Sequence, residues 1–246
     1  MLARRIIPTI LYRGAETFKG EAFQSWRRIG NLRQAVRLYQ ARGVDELVLL
    51  DISGKSPDLK LVRDLCSECF MPVTVGGGIR TLEQIVALIA NGADKIALNT
   101  AAFETPDLID RAAHKVGSQS VVVSMDVKDG TVWTHSGTVD TGLEPVASAR
   151  SLAAAGAGEI FLASVSRDGT LSGYDLELVH AVADSVSIPV IASGGAGTYE
   201  HLRLALEAGA HAVAASAMWA FTDATPHGAA EYLDRHGVPV RLRRAA

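Results

Sequence analysis

The chain has 246 residues, 48% of them hydrophobic and 21% charged, the balance of a folded domain with a sizeable core rather than of a disordered segment. A formal net charge of −3 argues against a general nucleic-acid or membrane-surface binder. No apolar run approaches the ~20 residues that a membrane-spanning helix needs.

The opening MLARRIIPTIL holds only a short apolar run before the polar YRGAETFKG, so we expect no signal peptide and a cytoplasmic location. In chain order, RIIPTIL, ELVLLD, PVTVG, KIALN, VVVSMD, EIFLAS, PVIAS and AVAAS read as strands. Between them lie helix-like stretches, among them LRQAVRLYQARG, LEQIVALIANGA, PVASARSLAAAGA and EHLRLALEAGA, several ending at glycine as helices often do. Near-continuous apolar strands alternating with helices imply parallel strands buried on both faces. Eight such units in a chain of this length predict an α/β fold, a single (β/α)8 barrel domain over residues 1–246. A doubly wound sheet is the alternative, but no GxGxxG fingerprint follows the first strand.

The chain also repeats itself at an offset of about 115 residues. DELVLLDIS (Asp45 to Ser53) matches GEIFLASVS (Gly158 to Ser166), and PVTVGGGIRT (Pro72 to Thr81) matches PVIASGGAGT (Pro189 to Thr198). NGADKIALNT then matches AGAHAVAASA, and RIIPTILY (Arg5 to Tyr12) matches SVVVSMDV (Ser120 to Val127). Four matches in register predict two half-barrels, at about 1–119 and 120–246.

In such a barrel the active site lies at the C-terminal ends of the strands. The residues expected there are Leu11, Asp51, the turn at Gly76, Gly77 and Gly78, Asn99, Thr100, Asp126, Ser164, Gly194, Gly195 and Ser216. Glycines directly after a strand let backbone N–H groups approach an anion, and a helix capped by Thr81 or Thr198 begins just beyond. The duplication supplies this arrangement twice, which points to two phosphate sites and a long bis-phosphorylated ligand or a descendant of one. The plainer alternative is that paired glycines merely close tight loops. Their repetition beside Asn99, Thr100 and Ser216 favours phosphate.

Other features carry less. Cys66 and Cys69 form a lone C-x-x-C, and no second pair completes four zinc ligands, so they read as small apolar helix residues. His135, His180, His201 and His211 show no metal spacing, with His180 and His201 expected on helix surfaces. Trp133 and Trp219 read as packing residues, and the tail Arg241 to Ala246 as a solvated basic end. No cofactor and no metal site are expected.

The stretches RIIP, FKG, DELVLLDI, VGGGI, GADKIALNTAA, GSQSVVVSMD, GAGEI, RDGTLSGYD, ASGGAG and YLDRHGVPVRL together resemble the cyclase subunit of imidazole glycerol phosphate synthase. They run in order over almost the whole chain. The resemblance implies a histidine-biosynthesis barrel that takes ammonia from a glutaminase docked on its bottom face and uses it to cleave and cyclise a bis-phosphorylated substrate. It further implies an ammonia gate of Arg5, Glu46, Lys95 and Glu159, and a partner-facing position at Asp94. Phosphate-binding positions fall on Gly77, Gly78, Asn99, Thr100, Gly169, Gly194, Gly195 and Ser216. Substrate-site positions fall on Lys19 in a mobile first loop, Asp51, Ser164, Asp168 and Thr170.

One departure matters. The family places aspartates at the ends of strands 1 and 5 as general acid and base; here Asp126 fills the second position and Leu11 the first. Such groups each contribute roughly 10²–10⁴ in rate, so ordinary cyclisation is expected to fail. Glu16, in the same loop, is the candidate substitute acid. The pattern, together with WRRIGN (Trp26 to Asn31), is similar to the divergent branch associated with sugar amidation in surface-polysaccharide biosynthesis. There ammonia serves a separate amidotransferase. The alternatives are a true cyclase with a substitute acid and a non-catalytic barrel that scaffolds or activates a glutaminase.

Overall fold

The computed structural model describes residues 3–242. The last residues of the basic tail, 243–246, lie outside them. In chain order the first half comprises β1 (Arg5–Arg13), β2 (Glu16–Glu21), β3 (Gln24–Asn31), α1 (Leu32–Ala41), β4 (Leu47–Asp51) and α2 (Leu59–Cys66). It continues with β5 (Val73–Gly76), α3 (Leu82–Ala90), β6 (Lys95–Leu98), α4 (Thr100–Glu104) and α5 (Asp107–Val116). The second half comprises β7 (Val121–Lys128), β8 (Thr131–Thr134), β9 (Val139–Asp140), α6 (Pro145–Ala154), β10 (Glu159–Ser164) and α7 (Leu176–Ser185). It ends with β11 (Val190–Ser193), α8 (Tyr199–Glu207), β12 (Ala212–Ala215), α9 (Ala217–Phe221) and α10 (Pro226–Arg235).

Eight of these strands pair in parallel in the order β1, β4, β5, β6, β7, β10, β11, β12, and β12 pairs back onto β1, so the sheet closes. The result is the (β/α)8 barrel, with every strand expected from the apolar runs in place. Alternation along each strand then sorts side chains into two cores. Ile6 and Ile10 of β1 face outward into the large cluster shared with the helices, whereas Ile7 faces the axis. Ile7, Val48, Val122, Phe161, Ile191 and Ala212 belong to the separate inner cluster that plugs the barrel.

Two additions escaped the strand pattern. The expected mobile first loop is an antiparallel hairpin, β2 on β1 with Leu11 opposite Phe18, and β3 on β2. A second hairpin extends the fifth barrel strand: β8 pairs with β7, with Asp126 opposite Trp133, and β9 pairs with β8. Both tips turn through left-handed backbone, at Ala22 and Phe23 (φ 48° and 59°) in one and at His135 and Ser136 (φ 52° and 57°) in the other. The tips meet over the mouth, where Phe23 packs beside Gly137. Ala22 N–H also donates to the Asp168 carbonyl at 2.9 Å. Among the described residues no helix is long and apolar enough to cross a membrane.

Candidate functional site

The floor of the barrel is a closed ring of four charges. Arg5 opens β1, Lys95 opens β6, Glu159 opens β10, and Glu46 immediately precedes β4, so all four point to the axis at one level. Arg5 Nη1 lies 2.6 Å from Glu46 Oε2 and 3.1 Å from Glu159 Oε1. Lys95 Nζ lies 3.0 Å from Glu46 Oε2 and 3.1 Å from Glu159 Oε1. Thr74 Oγ1 donates to Glu46 Oε1 at 2.9 Å, which satisfies the most buried member, 2% exposed. Burial alone would lower the Arg5 pKa, but the two carboxylates reverse that and hold it above its ordinary value. Two acids against two bases give a neutral ring, the arrangement that makes burying charge tolerable.

Asp94, beside Lys95, is exposed on the same face, and its Oδ2 accepts from Val73 N–H at 2.8 Å. Asp45 does the same for Ile6 N–H, and His211, the repeat counterpart of Asp94, for Val190 N–H. These side chains stitch the starts of neighbouring strands together, so Asp94 has a structural task in the isolated chain.

At the other end lies a cavity of about 380 Å³. The structure brings most of the expected residues to its wall. Leu11, Lys19, Asp51, Asn99, Thr100, Asp126, Asp168 and Ser216 line it, as do Gly77, Gly78, Gly169, Gly194 and Gly195. Gly77 (φ +103°) and Gly194 (φ +89°) occupy equivalent places. A β-carbon would stand 2.1 Å from the Asp51 carbonyl at the first and 2.5 Å from the Ser164 carbonyl at the second. Only glycine fits either turn. Helices α3 and α8 follow, each capped by the expected threonine, Thr81 accepting from Gln84 N–H and Thr198 from His201 N–H. Gly169 has a further constraint, because a β-carbon there would meet the Gly20 carbonyl at 2.4 Å, where the first hairpin crosses.

Ser164 and Thr170 do not reach this cavity. Ser164 ends β10 on the face turned from the axis, while its neighbour Ala163 lines the cavity; the serine lines a separate hollow with Lys128 and Arg167. Thr170 Oγ1 is spent on its own loop, donating to the Arg167 carbonyl at 2.8 Å. Glu16 does not line the cavity either; it pairs with Arg28 at 2.8 Å across the first hairpin.

The axis of asymmetry is clear in the geometry. Strands β1 and β7 stand four places apart around the eight-strand barrel, so Leu11 and Asp126 face one another across the mouth. Asp126 is buried and accepts from Ser124 Oγ at 3.1 Å. Burial pushes its carboxyl up to about 7; the Ser124 hydrogen bond opposes this and the Asp168 charge adds to it. Burial pushes the Lys19 ammonium down to about 8, with Asp168 opposing. Burial also pushes Asp168 up, with Lys19 opposing. Three titratable groups in one cavity are thus moved toward neutrality, the pattern expected of proton-transfer sites. Lower in the cavity Thr9 Oγ1 is buried without a hydrogen-bond partner among the described residues.

Several lining residues escaped the sequence. Phe23 and Trp26 belong to the unforeseen first hairpin, and His135 and Ser136 to the second, so His135 stands in the site rather than idle. Arg80 also lines the cavity; its signal was the break in the repeat, where its counterpart is Gly197. His180 lies exposed on α7, and His201 on α8 accepts from Gly197 N–H at 3.2 Å. Trp133 Nε1 donates to the Lys128 carbonyl and its ring sits under the Lys128 ammonium, whereas Trp219 is buried. Cys66 and Cys69 are free thiols pushed up to about 12 and about 11, chiefly by burial, and hence weak nucleophiles.

Two outcomes follow. Because the folded protein holds the Asp126 proton up to pH about 7 while an unfolded aspartate releases it near its ordinary 3.8, this group's contribution to stability is complete below pH 3.8 and is lost as pH rises toward 7. Asp126→Asn should flatten that part of the curve in urea melts taken across this range; an unchanged slope would contradict the burial. Lys95→Met leaves two buried carboxylates with one base and should lower stability by about 3–5 kcal/mol by the same measurement. A loss under about 1 kcal/mol, the level of an exposed pair, would mean that the ring is solvated.

The geometry can be set beside known sequences. Residues 5–223 match the family model described as Histidine biosynthesis protein. That span takes in all eight barrel strands, the charged ring, both glycine turns, Leu11 and Asp126. With nearly the whole fold and every element of the site inside the match, the chain belongs to the histidine biosynthesis protein family of (β/α)8 barrels.

Proposed function

We propose that this chain is an ammonia-handling barrel of the cyclase-subunit type. It receives ammonia from a glutaminase docked under the charged ring and delivers it at a mouth that holds a phosphorylated small molecule. Its product serves sugar amidation in surface-polysaccharide or related biosynthesis rather than imidazole ring closure. The observation that carries this is Leu11 facing Asp126 across the cavity. A hydrocarbon side chain neither gives nor takes a proton, so a two-carboxylate cyclisation lacks one partner.

The rest of the interior suits the transport half of the task. The ring leaves its two cationic side chains, Arg5 and Lys95, partly accessible, at side-chain exposures of 25% and 16%. Above it the inner cluster is apolar, which admits neutral ammonia far more readily than ammonium, since an unpaired ion in such surroundings is costly. The unpartnered Thr9 hydroxyl, between that cluster and Asp126, offers a small polar molecule a stopping place. The paired turns at Gly77 and Gly194 line both sides of the mouth, and helices α3 and α8 begin just beyond them with their N-terminal ends available to anionic groups.

A second reading, a true cyclase with a substitute acid, draws support from one residue. Lys19, on β2, lines the cavity close enough to Asp168 for that charge to act on it, so a titratable group other than a carboxylate stands at the mouth. It is better placed than Glu16, which is held by Arg28.

The shared premise is tested with the cognate glutaminase. Adding this chain should raise glutamate release by roughly 5–150-fold, the range of ordinary coupling between sites. Lys95→Met should keep the complex but let ammonia appear in bulk solution. Glutaminase activity indifferent to the chain would contradict the proposal.

A further inference from the structure

Phe70 stands in the turn between α2 and β5, on the face of the barrel where the charged ring lies. It is 89% exposed, while the other exposed large hydrophobic side chains among the described residues reach at most 56%. A single exposed apolar residue is ordinary on a protein surface, so exposure alone carries nothing. Here, however, the side chain is held out by its own turn. Phe70 N–H donates to Gln40 Oε1 at 2.9 Å, Cys69 N–H donates to the Cys66 carbonyl at 3.0 Å, and Met71 on the other flank is buried. The backbone is fixed on both sides while the aromatic ring stays in water, which lowers the ordering cost of binding something there.

Phe70 also has a charged neighbour. Asp94 Oδ2 accepts from Val73 N–H, three residues beyond Phe70. Burial is the chief cause that pushes the Cys69 thiol up to about 11, and the charges of Glu68 and Asp94 add to it, so the Asp94 carboxylate lies beside the same turn. Asp94 is exposed and directly precedes Lys95 of the ring. An aromatic side chain and a carboxylate thus share one sector of the barrel floor.

The duplicate sector offers neither. Ser187 stands for Phe70 and His211 for Asp94. The charged ring is lopsided in the same sense, since both of its bases come from the first half and their counterparts are Ser120 and Ala212. These breaks in the repeat all point one way around the floor, to the sector where β1, β4, β5 and β6 begin.

We propose that the partner under the floor docks off centre, on this first-half sector, with Phe70 as its anchor. The proposal rests on the reading of that partner as a glutaminase, and adds where it sits and what its surface must offer. That surface needs an apolar pocket for the Phe70 ring and a basic group at the pocket's edge to meet Asp94. A few well-packed, fully desolvated side chains carry most of the energy of an interface, and a buried phenylalanine supplies about 150–250 Å². Seated there, the partner also covers Arg5 and Lys95, the two most accessible members of the ring.

The test measures affinity for the cognate glutaminase by isothermal titration calorimetry, for the whole chain and for variants whose urea melts are compared first. Phe70→Ser should melt with the unmodified chain, because its ring is already in water. It should bind the glutaminase roughly thirtyfold or more weakly, the level of an interface hot spot. Phe70→Trp should keep most of the affinity and Ser187→Ala all of it. Unchanged affinity in Phe70→Ser, or an equal loss in Ser187→Ala, would overturn the inference and leave the glutaminase reading intact. A clear loss of stability in Phe70→Ser would overturn it too, since the ring would then be packed on its own chain. So would a chain that dimerises alone and turns monomeric in Phe70→Ser, which would give the anchor to a second copy. No binding of the glutaminase by the unmodified chain would overturn the broader reading as well.

Discussion

Closure of eight parallel strands leaves a narrow column along the barrel axis, and alternation admits only every second side chain of each strand to it. What fills that column at each level decides what the level above can do. Here the lowest level is charged and neutral in sum, the middle is apolar, and the top opens into a cavity where the buried Asp126 stands opposite Leu11. Burial of the groups themselves is the largest cause that drives Asp126, Lys19 and Asp168 toward their neutral forms.

The duplication makes every departure from symmetry informative. Glu46 and Glu159 are copies of each other, but the counterpart of Arg5 is Ser120 and that of Lys95 is Ala212. The ring therefore takes one acid from each half and both bases from the first. At the mouth the glycine turns are present on both sides and the buried aspartate on only one. Arg80 pairs with Glu104 at 3.3 Å on the first side, where the repeat has Gly197 and Phe221. The two sides of the mouth therefore carry different side chains although the halves repeat in sequence.

The barrel was legible in the sequence because its strands are buried on both faces, which writes each of them as a run such as VLLD or VVVSMD between helical stretches. The hairpins were not. β3 is mostly exposed and polar, and β9 is only two residues long, so neither carries an apolar period. Missing them meant missing Phe23, Trp26 and His135, which reach the cavity only because the chain doubles back over it. Ser164 shows a different limit. A strand-end position does not fix direction, and alternation turns its side chain outward while Ala163 faces the axis. The repeat set Leu11 against an aspartate at its partner position, and the family resemblance then marked the leucine as the departure.

On the proposed function, leucine in place of a carboxylate at position 11 parts ammonia handling from ring closure. The most direct measurement supplies ammonium salt in place of a glutaminase and follows imidazole glycerol phosphate formation from the histidine-pathway substrate, for the chain and for Leu11→Asp. Background turnover is expected for the chain, with a gain of roughly 10²–10⁴ on restoring the aspartate. Brisk cyclisation by the unmodified chain, with no gain from Leu11→Asp, would contradict it.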